Sequence, residues 1–138
     1  MSVYIEKFES KICFPPVAPI AVIRHMRIRP VGKQFAEENI SSAILDTGAD
    51  FSTLPEVQYK HLASDPLIPK SQCEIRTAQG TLVSATRVKL QYLIPNVMRT
   101  WGVVYFLLWG EEVLVGRDIL SKFVVQFDGP KSELRLSK

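Results

Sequence analysis

The sequence has few of the residues that form disulfides or bind metal ions in small proteins. It contains two cysteines, Cys13 and Cys73, and two histidines, His25 and His61, among 138 residues. Two cysteines are too few for a disulfide framework, and although they could pair once, the absence of a signal peptide leads us to expect free thiols in a reducing compartment. Because two histidines without clustered cysteines do not make a metal site, we also expect no bound metal.

Long apolar runs are missing as well. The longest, at residues 101–109, is interrupted by Gly102 and is typical of a buried strand rather than a membrane span. The sequence shows no signal peptide. We therefore expect a soluble, cytoplasmic protein with no membrane partner.

Charge is neither strongly one-sided nor clustered. The formal net charge is +3 and the pI is near 9.0, but the basic residues are scattered along the chain. A nucleic-acid footprint needs a clustered stripe, and the nearest candidate comprises Arg24, His25, Arg27 and Arg29. Their spacing favours the solvated side of a strand, so the sequence disfavours nucleic acid as a partner. A nucleic-acid-associated domain that uses this face is a third alternative to the two functions considered below.

The composition fits one folded domain. A hydrophobic content of 46% argues against disorder, and the length allows a single core. Residues 1–19 end in a proline-rich stretch that cannot form a helix or a central strand, so we interpret them as an N-terminal arm with an extended lead-in. The domain itself is expected at residues 20–138.

Alternating apolar and polar residues predict an all-β fold. Within the segment 81–94, residues 86–92 alternate cleanly, and further strands are expected at 20–29, 39–45, 73–78, 101–109, 113–115, 123–127 and 133–136, about eight in all. Two short helices are expected. One begins near Thr53, where Thr53, Pro55 and Glu56 resemble a capping box, and the other covers residues 117–122. The pattern favours a barrel-like architecture.

The most informative stretch lies at residues 43–55. The apolar run Ala43-Ile44-Leu45 leads directly into Asp46 and then stops at Thr47-Gly48. A carboxylate at the end of a buried strand is costly unless another group shares or solvates its charge. One interpretation is an Asx-type turn in which Asp46 caps backbone groups.

The other interpretation rests on a family resemblance. The segment Asp46-Thr47-Gly48-Ala49-Asp50 behind an apolar run resembles the catalytic loop of the retroviral-type aspartic proteases, the retropepsins. A second landmark of that family is similar to Gly116-Arg117-Asp118 behind residues 113–115. Between the two landmarks, residues 73–94 can supply the family's flap hairpin. The resemblance covers roughly residues 20–136 and implies a closed barrel with a flap, assembled as a two-fold symmetric homodimer.

The resemblance implies an aspartic endopeptidase. Such enzymes use two neighbouring carboxylates that share one proton across a water, and they need no metal or cofactor. The sequence holds one Asp-Thr-Gly, at Asp46, so a single chain lacks the second carboxylate. A homodimer that brings two copies of Asp46 together would supply it.

The resemblance also assigns roles to individual residues. Thr47 corresponds to the residue whose hydroxyl reaches across the two-fold axis, and Gly48 to the glycine whose carbonyl meets the substrate backbone. Asp50, next to Ala49, corresponds to a residue that binds a substrate amide while pairing with Arg117. For the Asp50–Arg117 pair, a purely structural ion pair is an equally open interpretation.

The remaining implied site residues lie at the flap tip and behind the loop. Ala78, Gln79 and Gly80 would form the tip, and Gly116 would support the catalytic loop beside Arg117. Retroviral flaps usually carry several glycines, whereas this tip has only Gly80, so an ordinary hairpin turn is the alternative. The subsite walls are expected to be apolar and to come from Ile119, Leu82 or Val83.

Two functions therefore compete. The first is an aspartic endopeptidase that hydrolyses extended polypeptides, and the intact Asp46-Thr47-Gly48 favours it. The second is a non-catalytic module that keeps the fold and the dimer and binds peptides or proteins without cutting them. The single glycine of the flap tip leaves this second interpretation open.

Overall fold

Alternating apolar and polar residues run through much of the chain, and most of these segments form strands. The structure, a computed structural model, describes residues 3–10, 19–31, 37–58 and 65–138. Within them there are ten strands, one 3-10 turn at Glu56–Gln58 and one short helix. The elements are β1 (Val3–Lys7), β2 (Val22–Pro30), β3 (Glu38–Leu45), β4 (Thr53–Leu54), β5 (Lys70–Arg76), β6 (Leu82–Leu93), β7 (Gly102–Leu108), β8 (Leu114–Val115), α1 (Arg117–Leu120), β9 (Val124–Asp128) and β10 (Glu133–Ser137).

Six strands close into a barrel in the order β2, β3, β8, β4, β7 and β6. The barrel closes because β6 pairs with β2 as well as with β7. The β3–β8 and β4–β7 pairs are parallel, and the other pairs are antiparallel. Strand β5 lies outside the barrel and pairs with β6 as a hairpin. The predicted all-β closed barrel is confirmed.

The barrel interior is filled by the inward positions of long strands. Met26 and Ile28 of β2 are fully buried, as are Leu90 and Tyr92 of β6 and Phe106 of β7. Since successive strand residues point to opposite faces, their neighbours in sequence point outward. The core thus lies inside the barrel, and the outer face carries the polar and basic side chains.

A second sheet joins the two ends of the chain. Its order is β1, β10, β9, and all of its pairs are antiparallel. Tyr4 of β1 lies opposite Leu136 and packs into the core, and its hydroxyl accepts a hydrogen bond from the backbone N–H of Arg24 at 2.7 Å. The first strand is therefore anchored to the barrel. The boundary at residue 19 stays a prediction, and residues 11–18, which include Cys13 and most of the proline-rich stretch, lie outside the described residues.

The structure corrects the predicted helix at Thr53. Thr53 and Leu54 form β4, in which Thr53 pairs with Leu107 of β7 and Leu114 of β8. A 3-10 turn follows, with the N–H of Gln58 bonded to the carbonyl of Pro55 at 3.0 Å. The rest of the predicted helix, from residue 59 to residue 62, and His61 lie outside the described residues. Within the part of the chain that the structure describes, no helix is both long enough and apolar enough to cross a membrane.

Candidate active site

Asp46 lies immediately after β3, at the point where that strand ends. Strand β3 runs parallel to β8, and the N–H groups of Ile44 and Asp46 donate to the carbonyls of Val113 and Val115, both at 2.9 Å. These two bonds fix the backbone of the chain from Ile44 to Asp46 against β8. The side chain, released from the core, is half-buried.

A tight turn follows Asp46. Its Oδ1 accepts the N–H of Gly48 at 3.0 Å, and its carbonyl accepts the N–H of Ala49 at 3.2 Å. A Cβ on residue 48 would lie 3.3 Å from the same Oδ1, so glycine leaves room for the carboxylate. The turn is of the Asx type. It is compatible with both interpretations of the motif, since the second carboxylate oxygen remains available for other contacts.

Gly116 is pressed against the loop that follows Asp46. A Cβ at this position would lie 2.7 Å from the carbonyl carbon and oxygen of Phe51 and 2.9 Å from the carbonyl oxygen of Ala49. The next residue, Arg117, donates its backbone N–H to that Ala49 oxygen at 2.9 Å. The two sequence landmarks therefore meet backbone to backbone, and the close approach requires a residue without a side chain.

A buried serine and an aspartate complete this junction. Ser52 is fully buried, and its hydroxyl donates to Oδ1 of Asp118 at 2.7 Å while accepting the N–H of Gly116 at 3.0 Å. Its own N–H donates to Oδ2 of Asp118 at 2.9 Å. Both oxygens of the Asp118 carboxylate thus accept hydrogen bonds from Ser52. Hydrogen bonds to an ionised acceptor are stronger than those between neutral groups.

Sequence reasoning missed the Ser52–Asp118 contact. The two residues are 66 positions apart, and neither belongs to the quoted motif as a functional residue. The available signal was weak: a serine placed between the aromatic Phe51 and the apolar Leu54, and an aspartate just after Gly116-Arg117. Buried polar groups need partners, so each residue alone predicts a partner but does not identify it.

Burial and the nearby charge of Asp118 raise the pKa of Tyr92. Desolvation, followed by the negative charge of Asp118, raises the pKa of Tyr92 from 10.0 to about 12. Its ring also fills the space that a side chain on Gly102 would need, since a Cβ there would lie 2.6 Å from two ring carbons. Tyr92 is therefore a neutral, tightly packed phenol near neutral pH.

Asp50 and Arg117 form an ion pair through Oδ1 and Nη2. Both side chains are more than half exposed, with relative exposures of 67% for Asp50 and 56% for Arg117. An exposed pair contributes little to stability. It does hold both polar groups at the rim of the loop.

The hairpin formed by β5 and β6 lies over the loop. Its turn is closed by hydrogen bonds from the N–H of Thr77 to the carbonyl of Thr81 at 2.8 Å and from the N–H of Gly80 to the carbonyl of Thr77 at 2.9 Å. Gly80 adopts a φ of +84°, a conformation that other residues rarely take. The predicted tip residues Ala78, Gln79 and Gly80 all belong to this turn.

A cleft of about 630 Å³ separates the loop from the hairpin, a volume typical of ligand sites. One wall is the loop with Asp46, Gly48, Ala49 and Asp50, and the other is the hairpin from Glu74 to Gln79. The apolar lining comprises Phe51, Ile75, Leu107, Trp109 and Leu114. The predicted wall residue Ile119 is instead fully buried in the core.

Comparison with solved structures identifies this architecture. The chain is similar to EIAV protease complexed with the inhibitor HBY-793, with 19% sequence identity over 81% of this chain and 93% of that chain and a TM-score of 0.53. It is also similar to a retropepsin-like aspartic protease from Rickettsia conorii, with 16% identity over 99% of this chain and 94% of that chain and a TM-score of 0.50. The chain has the retropepsin-like fold. No protein-family model and no curated protein sequence matches it.

Within the retropepsin-like fold, most of the predicted site residues lie at the cleft or directly behind its loop. The structure brings Asp46, Gly48, Ala49, Asp50, Ala78 and Gln79 to one cleft, with Gly116 and Arg117 against the loop from behind. Gly80 is in the hairpin turn but does not line the cleft. Thr47 is exposed on the loop surface. Among the described residues, no group of three or more histidine, cysteine, aspartate or glutamate side chains could hold a metal ion.

Proposed function

We propose that the chain is an aspartic endopeptidase that acts as a two-fold symmetric homodimer, with one Asp46 from each copy. The observation that supports this most directly is the position of Asp46. It follows a barrel strand of the retropepsin-like fold and lines a cleft large enough for a peptide segment. One chain supplies one such carboxylate, so the second must come from a symmetric partner.

In the proposed mechanism, the two Asp46 carboxyls hold one proton between them, because two like charges at such short distance cannot both ionise. The ionised carboxyl accepts a proton from a bound water, while the protonated one polarises the scissile carbonyl. The water oxygen bonds to the carbonyl carbon and gives a tetrahedral diol. Proton transfer to the nitrogen then breaks the C–N bond and releases an amine and an acid.

The loop residues would bind the substrate and the partner chain. The hydroxyl of Thr47, exposed in one chain, would bond across the two-fold axis. The carbonyl of Gly48 and the carboxylate of Asp50, next to Ala49, would accept backbone N–H groups of the peptide. Arg117 would keep Asp50 oriented through its planar guanidinium, a role in which lysine is not equivalent.

The hairpin would serve as a flap over an extended substrate. A peptide in the cleft would bind as an added strand, with its backbone recognised by the loop and by the tip residues Ala78, Gln79 and Gly80. Closure would exclude water from the reacting bond. Because Phe51, Leu107 and Trp109 line the cleft, we expect apolar side chains beside the cleaved bond.

The first test is the variant Asp46→Asn. We expect it to fold and to dimerise as the parent does but not to cleave an unfolded protein such as casein, because the pair can no longer exchange a proton. Asp65→Asn, which removes a carboxylate outside the cleft, is the matched control and should retain full activity. If Asp46→Asn digests casein as fast as the parent, the catalytic role of Asp46 is wrong.

The shared proton also predicts a pH dependence for the dimer. Cleavage should be fastest on the acidic side of neutral, where the pair keeps one proton. The measurement is the initial rate on a fixed peptide substrate across the acidic and alkaline range. A rate that rises steadily to about pH 9 would contradict a shared-proton mechanism.

A peptide-binding module without hydrolysis is the second candidate, and the hairpin tip favours it because Gly80 is the only glycine there. A turn with one glycine has fewer accessible conformations than a glycine-rich tip, which disfavours wide opening. The deciding experiment is incubation with a broad peptide library from about pH 4 to pH 7. Binding without any new peptide termini would support the module.

A further inference from the structure

The outer faces of three adjacent barrel strands form a predominantly basic surface. Strands β2, β6 and β7 pair side by side and contain no aspartate or glutamate in their sequences. Arg27 and Arg29 of β2 alternate with the buried Ile28, and Arg87 and Lys89 of β6 flank the buried Val88. The fold thus gathers basic residues that are scattered in the sequence, although sequence reasoning disfavoured a nucleic-acid footprint for that very reason.

Two aromatic rings lie among these cations. The guanidinium carbon of Arg29 is 4.0 Å from the ring centroid of Trp101, and that of Arg27 is 5.9 Å from the same ring. The guanidinium carbon of Arg87 is 4.8 Å from the ring of Tyr105, which lies directly opposite Lys89 in the sheet. These distances are those of cation–π contacts. We call this surface the basic face and define it as Arg27, Arg29, Arg87, Lys89, Trp101 and Tyr105.

Carboxylates of the described residues do not neutralise most of this charge. Within the described residues, Arg27 forms an ion pair with Glu37 at 3.1 Å. Arg29 instead donates to the neutral amide oxygen of Gln91 at 2.9 Å, and Arg87 donates to the hydroxyl of Ser71 at 3.3 Å. Such bonds orient a guanidinium and leave its charge and further donors free for an anion.

The Tyr105 ring is exposed, and the Trp101 ring is partly exposed. Tyr105 is 47% exposed, and Val103, which separates the two rings along the outer face of β7, is 38% exposed. Trp101 and Tyr105 are four residues apart, or roughly 13 Å along an extended strand. This spacing allows bases of one extended strand to stack on both rings while neighbouring phosphates meet the cations.

We propose that the basic face binds single-stranded nucleic acid. Arg27, Arg29, Arg87 and Lys89 would bind phosphates, and Trp101 and Tyr105 would stack bases, which is the chemistry of sequence-tolerant single-strand binding on a sheet. This function is separate from the proposed peptidase activity. Trp101 and the cleft-lining Trp109 lie at opposite ends of β7, and the basic face approaches the cleft at Arg87, which pairs with the cleft-lining Leu107.

The charge part of the proposal is tested with a fluorescent single-stranded oligonucleotide of about 20 nucleotides and the full chain, by anisotropy at several salt concentrations. The variant Arg87→Gln/Lys89→Gln removes two positive charges from the basic face. The control Lys131→Gln/Lys138→Gln removes two from exposed positions elsewhere. We expect the face variant to bind about tenfold more weakly, the control to change by less than about threefold, and the face variant's salt slope to shrink by about 1.4.

Two results would overturn this part. Equal losses for the face variant and the control would mean that net charge, rather than this surface, attracts the oligonucleotide. Absence of parent binding at about 50 mM salt would mean that no such site exists, since electrostatic binding is strongest at low salt.

The stacking part needs a separate readout. In a Trp109→Phe background, Trp101 is the only tryptophan, and we expect the oligonucleotide to quench its fluorescence. An abasic oligomer of equal length and charge should bind more weakly and quench little. Equal binding of the abasic oligomer, or binding of phosphatidylserine vesicles in place of the oligonucleotide, would overturn the assignment in favour of another anionic partner.

Discussion

At the scale of single residues, Ser52 carries an unusual share of the loop's hydrogen bonds. Its hydroxyl is fully buried, donates to Asp118 and accepts from Gly116, so it satisfies one charged acceptor and one backbone donor together. No solvent can replace either bond at such a position. The loop that follows Asp46 therefore depends on a side chain that takes no direct part in the proposed chemistry.

We expect Ser52→Ala to lower the free energy of unfolding by about 2 kcal/mol, because it leaves the buried N–H of Gly116 without a partner and removes one of the two hydrogen bonds to Oδ1 of Asp118, the other coming from the N–H of Ile119. Urea unfolding followed by fluorescence measures the change. Ser41→Ala, at an exposed position of β3, is the matched control and should shift stability by less than about 0.5 kcal/mol. Equal effects of the two substitutions would contradict the role given to Ser52.

Tyr92 links stability to alkaline pH. Burial and the charge of Asp118 raise its pKa in the folded chain from 10.0 to about 12, so the folded chain holds the phenol proton more tightly than the unfolded chain. The resulting stabilisation is fully present below pH 10 and is lost as the pH rises toward 12. Tyr4, whose pKa burial likewise raises to about 12, contributes in the same window and direction.

We therefore expect Tyr92→Phe to reduce the loss of stability between about pH 10 and pH 12 by roughly 2 kcal/mol. Near neutral pH its effect should stay under about 1 kcal/mol, since the buried Tyr92 hydroxyl has no hydrogen-bond partner among the described residues. Urea midpoints at a series of pH values measure both quantities. Tyr105→Phe, which alters an exposed phenol, is the comparison variant, and an equal change in both variants would contradict the assignment to Tyr92.

At the scale of elements, the junction between the loop that follows Asp46 and α1 is set by close backbone contact. Gly116 has no room for a side chain, whereas Gly129, in the turn between β9 and β10, has nothing within 4 Å of the position that an added methyl group would occupy. The same substitution at the two positions therefore isolates the effect of crowding.

We expect Gly116→Ala to destabilise the chain by at least about 2 kcal/mol and to reduce any peptidase activity, because the loop carbonyls of Ala49 and Phe51 must move away from the new methyl group. Gly129→Ala should remain within about 1 kcal/mol of the parent. Thermal and urea unfolding of both variants provide the comparison. A harmless Gly116→Ala would show that the loop is not held where the structure places it.

The elements also show what sequence patterns can and cannot predict. Strand β6 was predictable because residues 86–92 within it keep a two-residue period. Strand β4 was not, because it has two residues and exists through pairing with Leu107 and Leu114, which are more than fifty positions away. At Thr53, these long-range bonds override a local pattern that favours a helix start.

The candidate site divides in the same way. Asp46 and Gly116-Arg117 could be recognised because each belongs to a contiguous motif whose spacing carries information. Ser52 and Asp118 could not be paired from sequence, since their contact is created by the barrel's closure. The cleft walls Leu107 and Trp109 were likewise hidden, because the same residues are equally typical of a buried apolar strand.

At the scale of the whole molecule, the proposed activity depends on assembly. One chain of the retropepsin-like fold presents a single Asp46 to its cleft, and the proposed chemistry requires two carboxylates that share a proton. Peptidase activity should therefore belong to pairs of chains. A variant chain with Asp46→Asn would inactivate every pair that it enters, while leaving the pairs of parent chains unaffected.

The most direct measurement is peptidase activity after subunit exchange between parent chains and Asp46→Asn chains, mixed in varying ratios at constant total concentration. If each active unit needs two parent chains, activity falls with the square of the parent fraction, so an equal mixture keeps about one quarter of the activity. If each chain acts alone, activity falls in proportion and the same mixture keeps about one half, which would contradict the shared active site.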